Sequence, residues 1–312
     1  MKSDAHARRW AAIALLAVGL SAVAAAPAAG ATRTVDERRP VPADGQIEVI
    51  NVAGSVRVFG WDRAELEVTG SLGSEVDRVD IATAGTRTTV RVVRSKSEGM
   101  GFHFSDPESA ELVIHMPQRN ALSASLVSAD LIVKDVVGAQ ELQTVSGDVS
   151  TSAARECHVR TVSGDVSVEG GPDVKVLELG TVSGDLHVTG SANGELSIST
   201  VSGDAHVNAG SLNRAKLKTV SGDFHLYAGL TADGRLEVES VSGDLTVDFT
   251  GGPPPAEYDL QSSSGDLTAC FGPKSSLERF GPGSRLVFKE GPGTARVHVD
   301  TRSGDVTLCN RK

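Results

Sequence analysis

The aspartates of this chain are spaced so regularly that they are its first candidates for chemistry. They close the tripeptide Ser-Gly-Asp, which occurs eight times, and a ninth, degenerate copy is Ser128, Ala129 and Asp130. Successive copies begin 18, 17, 20, 19, 19, 21, 22 and 39 residues apart. A period of about 20 residues is typical of a solenoid, in which each repeat forms one coil that packs on its neighbours. The eight copies are Ser146, Gly147, Asp148; Ser163, Gly164, Asp165; Ser183, Gly184, Asp185; Ser202, Gly203, Asp204; Ser221, Gly222, Asp223; Ser242, Gly243, Asp244; Ser264, Gly265, Asp266; and Ser303, Gly304, Asp305.

One aspartate in every coil would form a column of carboxylates. Stacked strands place equivalent residues about 4.8 Å apart, and two carboxylates at that distance repel by about 1 kcal/mol in water. Main-chain N–H groups, the neighbouring hydroxyls or a cation such as calcium could offset this repulsion. The Gly-Gly-x-Gly-x-Asp motif of calcium-binding β-rolls does not occur. We therefore interpret the column as a structural turn ladder, in which aspartate closes the turn and glycine allows a positive φ.

Three histidines form a second candidate array. In three successive repeats, the residue two positions after the aspartate is a histidine; these are His187, His206 and His225. Side chains that converge from adjacent coils could bind one metal ion, with nitrogen-to-zinc bonds of about 2.1 Å. The alternatives are a solvated row, since other repeats place serine or threonine at this position, and a pH-sensitive surface.

Enzymatic motifs are scarce. The sequence has no G-x-S-x-G, no H-E-x-x-H, no P-loop and no Cys-x-x-Cys. Right-handed β-helices do include polysaccharide lyases and hydrolases, and a pair of carboxylates suits glycoside cleavage. Here, however, every repeat carries the same aspartate, which is typical of a structural role. We expect no catalytic residues and no cofactor, and a polysaccharide-active enzyme is the alternative.

The N-terminus has the features of a signal peptide. Lys2, Arg8 and Arg9 precede an apolar run over residues 11–26, and small residues follow, which predicts cleavage near residue 31. An uncleaved anchor is the alternative. No other long apolar run occurs, so we expect no transmembrane segment in the mature chain. This predicts an exported protein that is periplasmic, on the cell surface or extracellular.

The net charge of −10 makes nucleic acid an unsuitable partner, because phosphates require a basic surface. Only Trp61 remains as a tryptophan after residue 31, which disfavours an aromatic sugar-binding groove. The expected partner is therefore an envelope or surface polymer or protein that the sequence does not identify.

Apolar and polar residues alternate from Gln46 onward, and no segment has a sustained helical period. We predict an all-β fold, a right-handed single-stranded parallel β-solenoid (β-helix) with about 20 residues per coil. An antiparallel sandwich of hairpins is the alternative. The predicted organisation is a signal peptide at 1–31, a linker at 32–45 and a solenoid domain at 46–312. Its coils are irregular over 46–125 and regular over 126–312, and a loop is predicted between Ser95 and Ser109.

The chain also resembles a bacterial family of "putative adhesins" of unknown function, which form β-helical stacks. The resemblance spans roughly residues 45–309. It lies in residues 45–49, 54–58 and 61–62, in Leu112 to Pro117, and in the Thr-Val-Ser-Gly-Asp repeats through Val306. It implies an envelope or surface protein and supplies no catalytic residues.

The cysteines allow one disulfide. Cys270 and Cys309 each lie six residues after the serine of their repeat, so they share one position in the coil. If the 39-residue step holds two coils, the two positions are about 9.6 Å apart, too far for a bridge. If it holds one coil and an insertion, they are adjacent. Gly-Pro pairs interrupt the step and favour the insertion, so we predict a Cys270–Cys309 disulfide and a free Cys157.

Overall fold

A computed structural model describes residues 33–94, 109–272, 277–280 and 283–311, of which 277–280 and 311 are described by backbone alone. The predicted signal peptide lies outside these residues, and so does the predicted loop apart from Ser109. All regular elements within the described residues are β-strands. They are β1 (Arg33–Pro40), β2 (Gln46–Trp61), β3 (Glu65–Leu72), β4 (Val76–Ala84), β5 (Arg87–Arg94), β6 (Ala110–Pro117), β7 (Ala121–Lys134), β8 (Gln140–Ser146), β9 (Val149–Ala153), β10 (Glu156–Ser163), β11 (Val166–Gly170), β12 (Val176–Ser183), β13 (Leu186–Gly190), β14 (Gly194–Ser202), β15 (Ala205–Ser221), β16 (Phe224–Ser242), β17 (Leu245–Thr250), β18 (Ala256–Ser264), β19 (Leu267–Ala269), β20 (Leu277–Phe280), β21 (Gly283–Lys289), β22 (Ala295–Ser303) and β23 (Val306–Arg311).

The repeats form two parallel ladders that meet at the Ser-Gly-Asp corner. One strand of each repeat enters the corner and another leaves it, and each pairs in parallel with the equivalent strand of the next repeat. The serines are in register, with Ser163 opposite both Ser146 and Ser183. The all-β, parallel part of the prediction is therefore confirmed, and the antiparallel sandwich is wrong for these repeats.

Alternation along the two strands produces the core. In the repeat that contains Ser163, Val159, Val166 and Val168 are at most 1% exposed, while Arg160 and Ser167, which alternate with them, face outward. The threonine two positions before the serine also faces inward in this repeat, and Thr161 is 5% exposed. Because like residues stack on like residues, the core is a series of aliphatic columns that runs along the solenoid.

Glycine at the corner meets two requirements at once. Gly203 has a φ of +133°, which residues with a side chain rarely adopt. A Cβ atom built on Gly203 would also lie 2.2 Å from the carbonyl oxygen of Gly184 in the adjacent coil. The corners are therefore stacked so closely, backbone on backbone, that any side chain would force them apart.

The N-terminal end departs from the predicted series of irregular coils. Strand β2 is one coil that stacks in parallel on β7. Beyond it, β5 and β6 pair in parallel with the two halves of β2, and β3 and β4 pair antiparallel with β6 and β5. Part of the predicted linker, Arg33–Pro40, is strand β1, which pairs antiparallel with β3. Antiparallel strands thus cover the first coil.

The last coils are stacked in an order that differs from their order in the sequence. Ser303 lies opposite Ser242 on one side and opposite Ser264 on the other. The C-terminal strands β22 and β23 therefore lie between the coil of Ser242 and the coil of Ser264. Strand β21 pairs antiparallel with β18 on the remaining edge of the Ser264 coil. The 39-residue step thus holds an insertion rather than two coils.

This arrangement brings the two predicted cysteines into adjacent coils. The Cα atoms of Cys270 and Cys309 are 4.9 Å apart, and the structure joins the two residues by a disulfide. The bridge links the coil of Ser264 to the inserted C-terminal coil. Cys157 is a free thiol in the core.

We expect Gly203→Ala to lower the free energy of unfolding by about 1–3 kcal/mol, because the new Cβ strains the backbone and meets the Gly184 carbonyl. The measurement is chemical denaturation followed by circular dichroism. Gly180→Ala in β12 is the matched control, since the atoms nearest a new Cβ there lie 3.9 Å away. Equal losses in the two variants would contradict the argument.

Candidate functional site

The aspartate column is held by hydrogen bonds between coils. In each coil the aspartate main-chain N–H donates to the Oδ1 atom of the aspartate in the coil before it, over 2.8–3.0 Å. The bond from Asp204 N–H to Asp185 Oδ1, for example, is 2.9 Å long. In stacking order the members of this aspartate ladder are Asp130, Asp148, Asp165, Asp185, Asp204, Asp223, Asp244, Asp305 and Asp266.

These bonds explain how carboxylates can be stacked at the spacing of β-strands. Each of the eight acceptor carboxylates accepts a hydrogen bond from a main-chain N–H group, and the charge of the acceptor strengthens such a bond. The aspartate side chains remain exposed, so water also screens their mutual repulsion. Of the three forms of compensation considered from the sequence, main-chain donors are the ones that the geometry supplies.

The three histidines lie next to one another on the strands that leave the corner. His206 is in register with His187 on one side and with His225 on the other. The ring centroids are 5.9 Å and 6.2 Å apart, so the rings form a row rather than surround one point. His225 Nε2 lies 3.3 Å from Oδ2 of Asp248. Among the described residues, no three His, Cys, Asp or Glu side chains are grouped, as they stand, to hold a metal ion.

A column of exposed valines lies beside the aspartate ladder. Each valine directly precedes the corner serine, and each is 44–49% exposed. The sequence shows an apolar residue at this position, but the alternation by itself does not reveal that seven of them line up on the surface. We call this column the valine ridge; it consists of Val127, Val145, Val162, Val182, Val201, Val220 and Val241.

The strands that enter the corner carry ion pairs between coils. His158 and Arg160 both contact Glu178, at 2.9 Å and 2.8 Å, and their hydrogen bonds lower the pKa of that carboxyl. Lys218 contacts Glu239 at 2.6 Å and likewise lowers its pKa. Such exposed pairs contribute little to stability, but they leave this face nearly balanced in charge.

An aromatic cluster near the N-terminal end was not predicted from the sequence. His115 on β6 stacks against Phe59 and Trp61 on β2, with centroids 5.4 Å and 5.1 Å apart. The guanidinium of Arg63 lies 4.9 Å from the Trp61 ring centre. Because these faces are occupied by one another and by Arg63, the cluster packs β2 and β6 together.

The free cysteine is buried and unreactive. Cys157 is completely buried among core residues, and burial raises the pKa of its thiol to about 12. Reaction requires the thiolate, so this residue is a packing element of the core rather than a nucleophile.

Stacked parallel coils with one repeated corner define an all-β, solenoid-like protein. The chain belongs to the Toastrack DUF4097 family, whose model matches residues 46–309. No curated protein matches it. Within the described part of the chain there is also no helix with the length and apolar character needed to cross a membrane.

Solved structures with low similarity include one from Bacteroides fragilis and one from Parabacteroides distasonis. A "putative adhesin" from Bacteroides fragilis is 14% identical, with 89% of this chain and 97% of that chain covered and a TM-score of 0.37. A "putative lipid binding protein" from Parabacteroides distasonis is 12% identical, with 91% and 98% covered and a TM-score of 0.35.

We expect Asp204→Ala to lower the free energy of unfolding by about 1 kcal/mol, because the N–H of Asp223 loses its acceptor. Asp204→Asn keeps that oxygen and removes one charge from the ladder, so its stability should equal that of the wild type or exceed it. Thermal and urea unfolding measure both effects. Asp173→Ala, at an exposed position outside the ladder, is the control. A loss with Asn as large as with Ala would mean that the charge, not the acceptor, matters.

Proposed function

We propose that this protein is a non-catalytic, exported envelope protein that acts as an adhesin-like binding surface or scaffold. The aspartate ladder supports this proposal. It is the array most similar to a catalytic set of acids, and its carboxylates are engaged in holding the coils together. What the repeats offer to a partner is a surface on which the same side chains recur in coil after coil. Such surfaces suit extended polymers or proteins.

The finer architecture belongs to the same proposal. We take the stack to be right-handed with about 20 residues per coil, because parallel crossover connections are right-handed in about 98% of cases. We also take residues 1–31 to be a cleaved signal peptide, which would leave β1 near the start of the mature chain.

Binding is tested with the full-length product purified from the producing cells. The protein should sediment with isolated cell envelopes and should release no new reducing ends or unsaturated sugars from their polysaccharides. Replacing outward side chains that belong to one column should weaken sedimentation, while the free energy of unfolding stays unchanged. Release of sugar fragments would instead establish the polysaccharide-active enzyme, and failure to sediment would reject an envelope-binding role.

Export has a separate test in the cysteines. We expect the protein in the envelope fraction or the medium, with one thiol titrated after denaturation without reductant. That thiol is Cys157, and it should not react before denaturation because it is buried. A cytoplasmic protein with three titratable thiols would contradict both export and the Cys270–Cys309 bridge.

A metal-binding envelope stress protein is the second candidate, and the histidine row favours it. Each neighbouring pair of rings is close enough for two imidazoles to turn toward a shared ion, with His206 common to both pairs. Zinc or nickel should then raise the melting temperature, because a ligand of the folded state stabilises it. The shift should vanish in His206→Ala and persist in His298→Ala, a histidine outside the row. Equal responses of wild type and His206→Ala would reject the metal site.

A further inference from the structure

The valine ridge is an apolar surface that the fold itself does not cover. Its seven members occupy consecutive coils at a spacing of about 4.8 Å, so the ridge is about 29 Å long. Arg302 and Ser263 replace valine in the last two coils, where the ridge ends. A continuous row of half-exposed β-branched side chains differs from scattered surface valines, because contiguous apolar patches mark contact surfaces.

The repeat distance of the ridge limits what can pack along it. A partner that lies along the whole ridge must present side chains at the same repeat as the valines, about 4.8 Å. An α-helix repeats every 5.4 Å per turn, and one face of an extended strand repeats about every 6.8 Å, so both lose register within a few coils. A second stack of β-strands has the matching repeat, and a second copy of this chain supplies it.

The charges beside the ridge select the relative orientation of two copies. On one side of the ridge lies the aspartate ladder. On the other side, two positions before each valine, lies a column that is nearly neutral over the same seven coils: Ser125, Gln143, Arg160, Gly180, Ser199, Lys218 and Glu239. A two-fold axis perpendicular to the solenoids would bring the two aspartate ladders together. An axis parallel to the solenoids places each aspartate ladder against the other copy's mixed column, which contains Arg160 and Lys218.

We infer that the valine ridge joins two copies of this chain into a parallel, in-register dimer. Each valine of one copy packs against the equivalent valine of the other along the whole ridge, because both ridges have the spacing of stacked β-strands. Because both copies are acidic, salt should strengthen the association by screening their repulsion. Attraction of a cationic partner to the aspartates would weaken with salt instead. The inference does not depend on which envelope component the protein binds.

Sedimentation equilibrium of the mature protein at rising concentration and ionic strength tests the dimer. Wild type should dimerise, and the triple variant Val182→Thr, Val201→Thr, Val220→Thr should raise the dimer dissociation constant at least tenfold. Threonine keeps the β-branched shape, so the melting temperature should change little. The matched control replaces His187, His206 and His225 by threonine in the same three coils and should dimerise as wild type does. A monomeric wild type, or equal loss in both triple variants, would overturn the proposal.

A cross-linking experiment tests orientation without relying on the threonine variants. In a parallel, in-register dimer, residue 145 of one copy faces residue 145 of the other. Val145→Cys should therefore give a covalent dimer with a short bismaleimide, whereas Ser150→Cys, on the strand that leaves the same corner, should not. If Val145→Cys couples only to Val220→Cys in a mixture, the copies are antiparallel and the proposed arrangement is wrong. Cys157 does not interfere because it is buried.

Discussion

The hydrogen bond from each corner amide to the aspartate carboxylate of the adjacent coil is the interaction on which the remaining structure depends. It fixes the corners at strand spacing and holds them in register through the stack. It also requires the close backbone approach that only glycine permits, as the contact between Gly203 and Gly184 shows. Register at the corner then carries along both strands, so that every inward side chain meets its equivalent. The aliphatic columns of the core follow from this alignment.

The same alignment arranges the surface. Once the corners are stacked, the residues at equivalent outward positions form a column. The chemistry of a column depends on whether the residue type is the same in successive repeats. The valines that recur in seven coils form the valine ridge, and the aspartates that recur in every coil of the stack from Asp130 onward form the aspartate ladder. The three histidines of successive coils form a short row. Where the charge of the side chain changes sign from one coil to the next, neighbouring residues form ion pairs, such as Lys218 with Glu239. These lines of side chains are the feature on which we base the proposed binding role.

The two ends of the stack follow a different rule. An exposed strand edge offers unpaired N–H and C=O groups that can recruit other chains. At the N-terminal end β1, β3 and β4 turn the pairing antiparallel, and at the other end β21 covers β18. Inserting the C-terminal coil before the Ser264 coil places Cys309 beside Cys270, so the disulfide holds the outermost coil to its neighbour.

The sequence by itself determined that the chain is repetitive, that it is all-β and that equivalent residues form columns. These features follow from local properties: the tripeptide Ser-Gly-Asp that recurs eight times, and the alternation of apolar and polar residues along each strand. The adjacency of Cys270 and Cys309 could also be reasoned from spacing. Only the tertiary structure decided the stacking order at the C-terminus. The Ser-Gly-Asp motif of Ser303 matches the motifs of Ser242 and Ser264 alike, so the motif does not determine that the Ser303 coil lies between those two coils. It also decided that β1 pairs with β3 and that Phe59, Trp61 and His115 meet, because these contacts join segments far apart in the chain. The valine ridge lies between these cases: the valine is visible in seven repeats of the sequence, but the continuous exposed column depends on the stacking of the coils in register.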